Sequence, residues 1–292
     1  MRSVHVIINP GSGHPQPVLH TLNKVFREAK VNWEISLTKR AGDAERFAKI
    51  ASTSGVDVVA AFGGDGTIME AARGLMGSQT PLAILPGGTA NLMSVELGIP
   101  KPLEKAAAIA ADPKSIVRLV DVGQIGDTVF ILRVGLGFSA RKVRIADRQM
   151  KDKYGILAYS VGALKALKAS DIAHYTMILD GQQLEFDGLA CLVDNAGNMG
   201  VAGFSAGANI RVDDGLFDVI VVRDARIKSW VAVGTSMVGS TPDPAYIAHL
   251  QAREITIDAY PSQPVQVDGE MMGRTPVNIH VIPQAVRVLT AA

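Results

Sequence analysis

A glycine-rich segment that follows an apolar run is the part of the sequence best suited to chemistry. Residues 58–62 are Val-Val-Ala-Ala-Phe, and Gly63-Gly64-Asp65-Gly66-Thr67 follow them directly. Glycines at the end of a strand let backbone N–H groups approach a bulky anion, and the N-terminus of a following helix favours negative charge there. Asp65 adds a carboxylate, a ligand that suits Mg²⁺. The segment therefore indicates a phosphate and metal site, although an ordinary Asp-Gly turn would have the same sequence.

Two further small-residue loops also follow apolar runs. Asn9-Pro10-Gly11-Ser12-Gly13 comes after Val4–Ile8, and Pro86-Gly87-Gly88-Thr89-Ala90-Asn91 comes after Leu82–Leu85. Ligands of open α/β sheets bind beside the carboxyl ends of the strands, so three such loops favour a nucleotide site over coincidence. The chain has no Gly-x-x-x-x-Gly-Lys-Ser/Thr loop, and Gln16 occupies the place of the third glycine of a dinucleotide fingerprint.

The elements that must position these loops follow from the hydrophobic periodicity. Apolar residues recur at helical spacing in 19–29 and 44–51, and Trp33–Leu37 and Val56–Phe62 have the composition of strands. Alternating strands and helices predict a doubly wound α/β domain with a parallel sheet.

After about residue 117 the pattern changes to short strands. The predicted strands are Val117–Gly123, Thr128–Val134, Tyr175–Leu179, Gln183–Phe186 and Leu189–Val193. Gly126-Asp127 and Asp180-Gly181 separate some of them, and the second pair is a strong hairpin signal. This portion is predicted to be an antiparallel β domain.

The composition excludes several classes of protein. The chain has 292 residues, of which 48% are hydrophobic, and a net charge of +1, which provides no general attraction for nucleic acid. Its single cysteine, Cys191, excludes an internal disulfide and a zinc site built from cysteines, and its apolar neighbours indicate a buried thiol. Without a bilayer-length apolar stretch or a signal peptide, the sequence predicts a cytoplasmic protein.

The ordered set of motifs resembles the diacylglycerol kinase catalytic domain family, which includes bacterial lipid kinases, sphingosine kinases and ceramide kinases. Besides the three loops, the resemblance rests on Asp213-Asp214-Gly215 and Asp268-Gly269-Glu270, and it covers nearly the whole chain. NAD kinases and 6-phosphofructokinases share the Gly63–Thr67 motif, so the last two motifs are those that favour the lipid kinases.

The resemblance implies two domains with the active site in the cleft between them. Residues 1–118 would form a nucleotide-binding α/β domain similar to those of phosphofructokinase and NAD kinase. Residues 119–283 would form an antiparallel β-sandwich that takes the lipid, and a final strand at about 284–292 would return to the first domain. ATP and Mg²⁺ are the implied cofactors.

The resemblance also implies roles for individual residues. Glu270 would accept the proton of the lipid hydroxyl. Asp65 and Asp268 would also be catalytic, and Asp268 would act by orienting the turn or the metal network. Asp121 would support Asp65 in the Mg²⁺ network. A second, structural metal site would use the Asp214 carboxylate and the carbonyl groups of Arg211 and Leu216, although an Asp-Gly turn explains that segment nearly as well. The expected nucleotide contacts are Asn9, Pro10, Gly11, Ser12, Gly13, Thr38, Gly63, Gly64, Asp65, Gly66, Thr67, Glu70, Gly88 and Thr89.

Two positions depart from the family pattern. Leu92 follows Asn91 where many members have aspartate, which removes a carboxylate from the metal network. Arg133 stands where relatives often have asparagine. These departures keep open a nucleotide- and lipid-binding module that no longer transfers phosphate.

A soluble enzyme that acts on a lipid must dock on a membrane surface. Arg141, Arg144, Arg148 and Lys151 would form one basic stripe on a helix, which either contacts anionic headgroups or is a solvated face. We therefore predict an ATP- and Mg²⁺-dependent lipid kinase, peripherally associated with the membrane, that phosphorylates diacylglycerol or a similar lipid. An NAD kinase-like enzyme is the enzymatic alternative. A homodimer is left open.

Overall fold

The computed structural model describes residues 1–13, 16–137, 172–201, 204–205, 210–223 and 246–292. The chain divides into two compact units. The first comprises Met1–Asp121 and Pro283–Ala292, and the second comprises Val122–Ile282. Among the residues that the structure describes, no helix is both long and apolar enough to cross a bilayer.

The first unit is built on a parallel sheet. Its strands are β1 (Ser3–Ile8), β2 (Asn32–Leu37), β3 (Val58–Gly63) and β4 (Leu82–Pro86). They lie in the order β2-β1-β3-β4. The helices are α1 (Val18–Glu28), α2 (Asp43–Thr53), α3 (Asp65–Leu75), α4 (Leu92–Glu96) and α5 (Leu103–Ala111). Helix α1 packs against α5, and α2 packs against α3, so the predicted α/β architecture is confirmed.

The burial of the central strands explains their composition. All residues of β3 and β4 are buried, because strands in the middle of a parallel sheet have helices on both faces and therefore read as continuous apolar runs. Helix α1 instead buries one stripe, formed by Leu22, Val25 and Phe26. The Phe26 ring meets the edge of Trp33 on β2 at a centroid distance of 5.5 Å.

The second unit is built from antiparallel strands. They are β5 (Ile116–Ile125, which begins in the first unit), β6 (Thr128–Phe130), β7 (Arg133–Leu136), β8 (Ala173–Leu179), β9 (Gln182–Gly188), β10 (Ala190–Asp194), β11 (Asn198–Val201), β12 (Phe204–Ser205), β13 (Phe217–Val222), β14 (Ile247–Ala252), β15 (Glu254–Tyr260), β16 (Pro264–Val267), β17 (Glu270–Arg274) and β18 (Val277–Thr290). One sheet has the order β14-β13-β10-β7-β16-β17, and β18, β15, β8 and β9 pair in that order elsewhere. The predicted antiparallel β domain is confirmed.

Strand β18 belongs to both units because the chain returns through it to the first. Its beginning pairs with β15, Ile279 opposite Ile255. Its end lies parallel to β4, Val288 opposite Leu82. The first unit therefore contains residues from both ends of the described chain.

The structure confirms one predicted hairpin and divides one predicted strand into two. Asp180 and Gly181 connect β8 to β9 with φ angles of 49° and 86°, as a two-residue hairpin with positive φ requires. The single strand predicted for Thr128–Val134 is wrong, because it is divided into β6 and β7. The backbone N–H groups of Ile131 and Leu132, between the two strands, donate to the carboxylate of Asp268.

Candidate active site

The three small-residue loops lie at the carboxyl ends of β1, β3 and β4. The chain passes from β1 to β2 on one side and to β3 on the other, so the sheet order reverses between β1 and β3, where open α/β sheets bind ligands. The Asn9 amide Nδ2 donates to Thr67 Oγ1 over 2.9 Å. This hydrogen bond ties the first loop to the N-terminus of α3.

The glycines of these loops allow their backbones to touch. Gly13 has a φ of +69°, and a Cβ added there would lie 1.9 Å from the carbonyl oxygen of Gly87. A Cβ on Gly88 would lie 2.5 Å from the Cα of Gly64. Larger side chains would push the loops apart, so glycine is required for their close approach.

A cavity of about 570 Å³ lies beside the first loop. Nine predicted nucleotide contacts line it: Asn9, Pro10, Gly11, Ser12, Thr38, Gly64, Gly66, Thr67 and Glu70. The remaining predicted contacts, Gly13, Gly63, Asp65, Gly88 and Thr89, are not among the lining residues. Sequence reasoning missed Lys39, Arg40, Ala41 and Ala44, which also line the cavity. The first three belong to the loop after β2, and their only sequence signal is that they follow Thr38.

Glu70 connects the two helices that border this cavity. It lies one turn into α3, and its Oε2 accepts the backbone N–H of Ala44 at the start of α2 over 3.2 Å. An N–H group in the first turn of a helix has no partner within the helix, so this contact stabilises the beginning of α2. Glu70 thus holds the wall of the cavity in place.

Asp65 begins α3 and is partly buried against α4. Its Oδ1 accepts the backbone N–H of Met93 over 3.4 Å. Burial raises the pKa of the Asp65 carboxyl group, and the N–H groups of Met93, Leu92 and Asn91 partly offset that effect. Leu92, at the position of the missing aspartate, is half-buried in the first turn of α4. Asp65 forms no ion pair with any described residue.

Asp121, the second predicted metal residue, lies on β5 and is fully buried. Its Oδ1 accepts the backbone N–H of Gln284 over 2.7 Å. Nowhere in the described ranges do three Asp, Glu, His or Cys side chains gather as ligands for one ion. A Mg²⁺ network built on Asp65 and Asp121 stays a prediction.

In the second unit, Asp268 and Gly269 form the turn that connects β16 to β17. Their φ angles are +44° and +96°. The Asp268 carboxylate accepts the backbone N–H groups of Ile131, Leu132 and Arg133 over 2.9, 3.1 and 2.8 Å. Burial raises the pKa of Asp268 to about 6, although these donors favour the ionised form.

Glu270 follows this turn as the first residue of β17. Its side chain is exposed and makes no hydrogen bond or ion pair within the described part of the chain. A carboxylate without such contacts is available to accept a proton, so the role of Glu270 as a base stays a prediction that the structure is compatible with.

Arg133, the second departure from the family pattern, has a structural partner. Its Nε lies 3.2 Å from Oδ1 of the buried Asp194, on the neighbouring strand β10. Its Nη2 donates to the carbonyl oxygen of Ala196 over 3.2 Å. The guanidinium group therefore joins β7 to the end of β10.

The segment predicted as a structural metal loop precedes β13. Asp214 Oδ1 accepts the backbone N–H of Leu216 over 3.0 Å, and Arg211 Nε donates to Asp213 over 3.2 Å. These contacts are those of a local turn, so the metal site with Arg211, Asp214 and Leu216 stays a prediction. The basic stripe of Arg141, Arg144, Arg148 and Lys151 lies outside the described residues.

Comparison with known proteins identifies relatives of both units. Residues 3–125 match the family model of the diacylglycerol kinase catalytic domain. Residues 133–290 match the model of the YegS C-terminal NAD kinase beta sandwich-like domain. A diacylglycerol kinase of Bacillus subtilis is 27% identical over 94% of this chain and 92% of its own.

Two other relatives cover a similar share of this chain. An uncharacterised Synechocystis protein is 28% identical over 97% of this chain and 69% of its own. The crystal structure of a diacylglycerol kinase from Bacillus anthracis superimposes with a TM-score of 0.79, covering 99% of this chain and 96% of that one at 27% identity.

Proposed function

Because the chain belongs to the family in which a diacylglycerol kinase catalytic domain precedes a YegS C-terminal domain, we propose that it is a lipid kinase. It would transfer the terminal phosphoryl group of ATP to the hydroxyl group of a lipid. The observation that carries the proposal is the cavity at the switch point of the parallel sheet, lined by nine of the predicted nucleotide contacts. Phosphoryl transfer depends mainly on positioning and on electrostatic stabilisation. Loops held together by contacts between glycines provide a rigid cradle of this kind.

The environment of Asp65 supports the proposal that the site uses a Mg²⁺ ion. Asp65 is a partly buried carboxylate whose pKa is raised by burial and which has no cationic partner among the described residues, so a divalent ion would compensate its charge. Mg²⁺ commonly takes one or two protein carboxylates and completes its coordination with phosphate oxygens and water. Asp65 would hold it with support from Asp121, and the bound ion would neutralise charge that develops on the phosphates.

Glu270 is the proposed general base. Its exposed carboxylate would accept the proton from the lipid hydroxyl while the hydroxyl oxygen bonds to the terminal phosphorus. The bond from that phosphorus to the bridging oxygen then breaks, and ADP leaves. Asp268 would act by holding the turn that presents Glu270. With diacylglycerol as the proposed acceptor, the enzyme would work from the cytoplasm at a membrane surface.

A labelled-ATP assay tests the proposal. The purified protein is incubated with Mg²⁺, ATP and, in separate reactions, diacylglycerol, monoacylglycerol, sphingosine, ceramide and NAD, and the products are identified by mass. We expect a phosphorylated lipid, formed only when Mg²⁺ is present. Asp65→Asn should retain the fold in a melting curve and lose the transfer, because metal-phosphate contacts stabilise the transition state.

Each alternative gives a different product. A phosphorylated NAD would identify an NAD kinase-like enzyme. ATP binding without any phosphorylated product would identify a module that binds without turnover, as the loss of the carboxylate at Leu92 would suggest. Near-normal transfer by Asp65→Asn would refute the assignment of the metal and phosphate site.

A further inference from the structure

The three small-residue loops carry no basic residue. Residues 9–13, 63–67 and 86–91 contain neither lysine nor arginine. A nucleoside triphosphate carries several negative charges, and backbone N–H groups alone provide only partial positive charge. Apart from the proposed Mg²⁺ ion, positive charge for the phosphates must therefore come from residues outside these loops.

The loop after β2 supplies basic residues to the cavity wall. Lys39 and Arg40 line the cavity of about 570 Å³ together with Thr38 and the first loop. Among the lining residues, Glu70 is the acidic one, and its Oε2 accepts the N–H of Ala44. The formal charge of the residues that line the cavity is therefore positive.

The local ion pairs leave most of this charge uncompensated. Asp43 Oδ1 lies 3.0 Å from Arg46 Nη2 but 3.9 Å from Arg40 Nε, so Arg46 has the closer contact with that carboxylate. The Arg40 side chain is 84% exposed. Within the described parts of the chain, the Lys39 ammonium group makes no hydrogen bond or ion pair.

The backbone of this loop is nevertheless fixed. Asp43 Oδ2 accepts the backbone N–H groups of Lys39 and Arg40 over 2.9 and 3.2 Å, and the Thr38 N–H donates to the Ile8 carbonyl oxygen at the end of β1. The two side chains therefore start from a defined position at the edge of the cavity.

We propose that Lys39, with Arg40 beside it, binds the phosphate chain of the nucleotide and so makes the site select a triphosphate over a nucleoside. The inference rests on the proposed function, because it concerns the same cavity. Lysine is a mobile point charge, which suits a phosphate that approaches a preformed loop. Glu70 and Ala44 fix the wall, and Lys39 provides the charge.

Binding measurements on the full chain test this inference. Calorimetric titration at constant Mg²⁺ compares ATP, inorganic tripolyphosphate and adenosine for the wild type, Lys39→Gln and Arg40→Gln. Lys49→Gln is the matched control, since Lys49 is an exposed lysine of α2 that does not line the cavity. Lys39→Gln should weaken ATP binding about tenfold, the size of one lost charge-assisted hydrogen bond at an exposed site, and Arg40→Gln should weaken it less.

The pattern across ligands decides the outcome. Adenosine binding should be unchanged in all variants, and added salt should reduce the difference between the wild type and Lys39→Gln by screening. ATP binding by Lys39→Gln equal to that of Lys49→Gln would overturn the inference. An equal loss of ATP and adenosine binding would also overturn it, because it would indicate damage to the cavity. A wild-type protein that binds no ATP would instead refute the proposed function.

Discussion

At the scale of single residues, two neighbouring carboxylates are in opposite environments. The Asp268 carboxylate accepts hydrogen bonds from three backbone N–H groups, so both of its oxygens are already occupied by contacts that stabilise the fold. The side chain of Glu270, two residues later, is exposed and makes no hydrogen bond or ion pair within the described residues. A base must be free to reach the proton that it abstracts. Asp268 therefore fits a positioning role, and Glu270 fits the role of the base.

Replacement of Glu270 by glutamine tests this division of roles. Glu270→Gln keeps the shape of the side chain and removes its capacity to accept a proton, so turnover should fall by roughly 10²–10⁴. The dissociation constant for ATP should not change, because the cavity proposed to bind ATP is lined by residues of the first unit. Initial rates and calorimetric titration measure the two effects separately.

The control for this variant is Glu254→Gln, which removes another exposed carboxylate of the second unit and should leave turnover unchanged. A Glu270→Gln protein that loses ATP affinity while keeping its turnover would identify Glu270 as a nucleotide contact.

At the scale of elements, the division between β6 and β7 shows how a distant residue determines local structure. Ile131 and Leu132 donate their backbone N–H groups to Asp268, which lies 137 and 136 residues away in sequence. A carboxylate at the tip of one hairpin thus replaces the strand partners of this segment. The same contacts hold the β16–β17 turn, and with it Glu270, against the segment before β7.

Loss of the Asp268 carboxylate should affect stability and turnover together. Asp268→Ala leaves backbone donors without partners, and each such buried donor costs about 1–3 kcal/mol. We expect a lower free energy of unfolding in urea and a lower turnover, with unchanged ATP affinity. Asp268→Asn keeps one acceptor oxygen and should be less severe. Normal turnover in a folded Asp268→Ala protein would show that the turn does not position the base.

Much of this organisation could be predicted from the sequence because its signals are local. Apolar runs followed by small-residue loops identified β3 and β4, and Asp180-Gly181 identified a hairpin. The break at Ile131 could not be predicted, since its cause lies in a distant part of the chain. Lys39 was missed for a related reason: a cation after a strand has no motif, and only the fold brings it beside Asn9 and Thr67.

At the scale of the whole molecule, the first unit depends on the end of β18. Val286, Val288 and Leu289 are buried there, and Val288 lies opposite Leu82 of β4. The backbone N–H of Gln284 also donates to the buried Asp121. The segment Pro283–Ala292 is thus a structural part of the first unit.

Removal of residues 284–292 should therefore unfold the first unit. Burial of a valine or leucine side chain contributes about 1.5–3 kcal/mol to the free energy of unfolding. The burial of three such side chains therefore approaches the total free energy of unfolding of a typical domain. Circular dichroism melting and ATP titration check the result, and deletion of the exposed Ala291 and Ala292 alone is the control. A truncated protein that melts cooperatively and binds ATP would contradict this account of β18.

The return of β18 also has a consequence for synthesis in the cell. The sheet that begins with β1 remains incomplete until residue 290 has left the ribosome, after the whole second unit has been made. Translation at about 5–20 residues per second implies a delay of roughly 10–30 s between β5 and the end of β18. During that interval the edge of β4 has no neighbouring strand, and an unpaired edge is a template for association with other chains. The nascent protein should therefore depend on chaperones at this stage, and it should acquire ATP binding only after the last strand has joined the sheet.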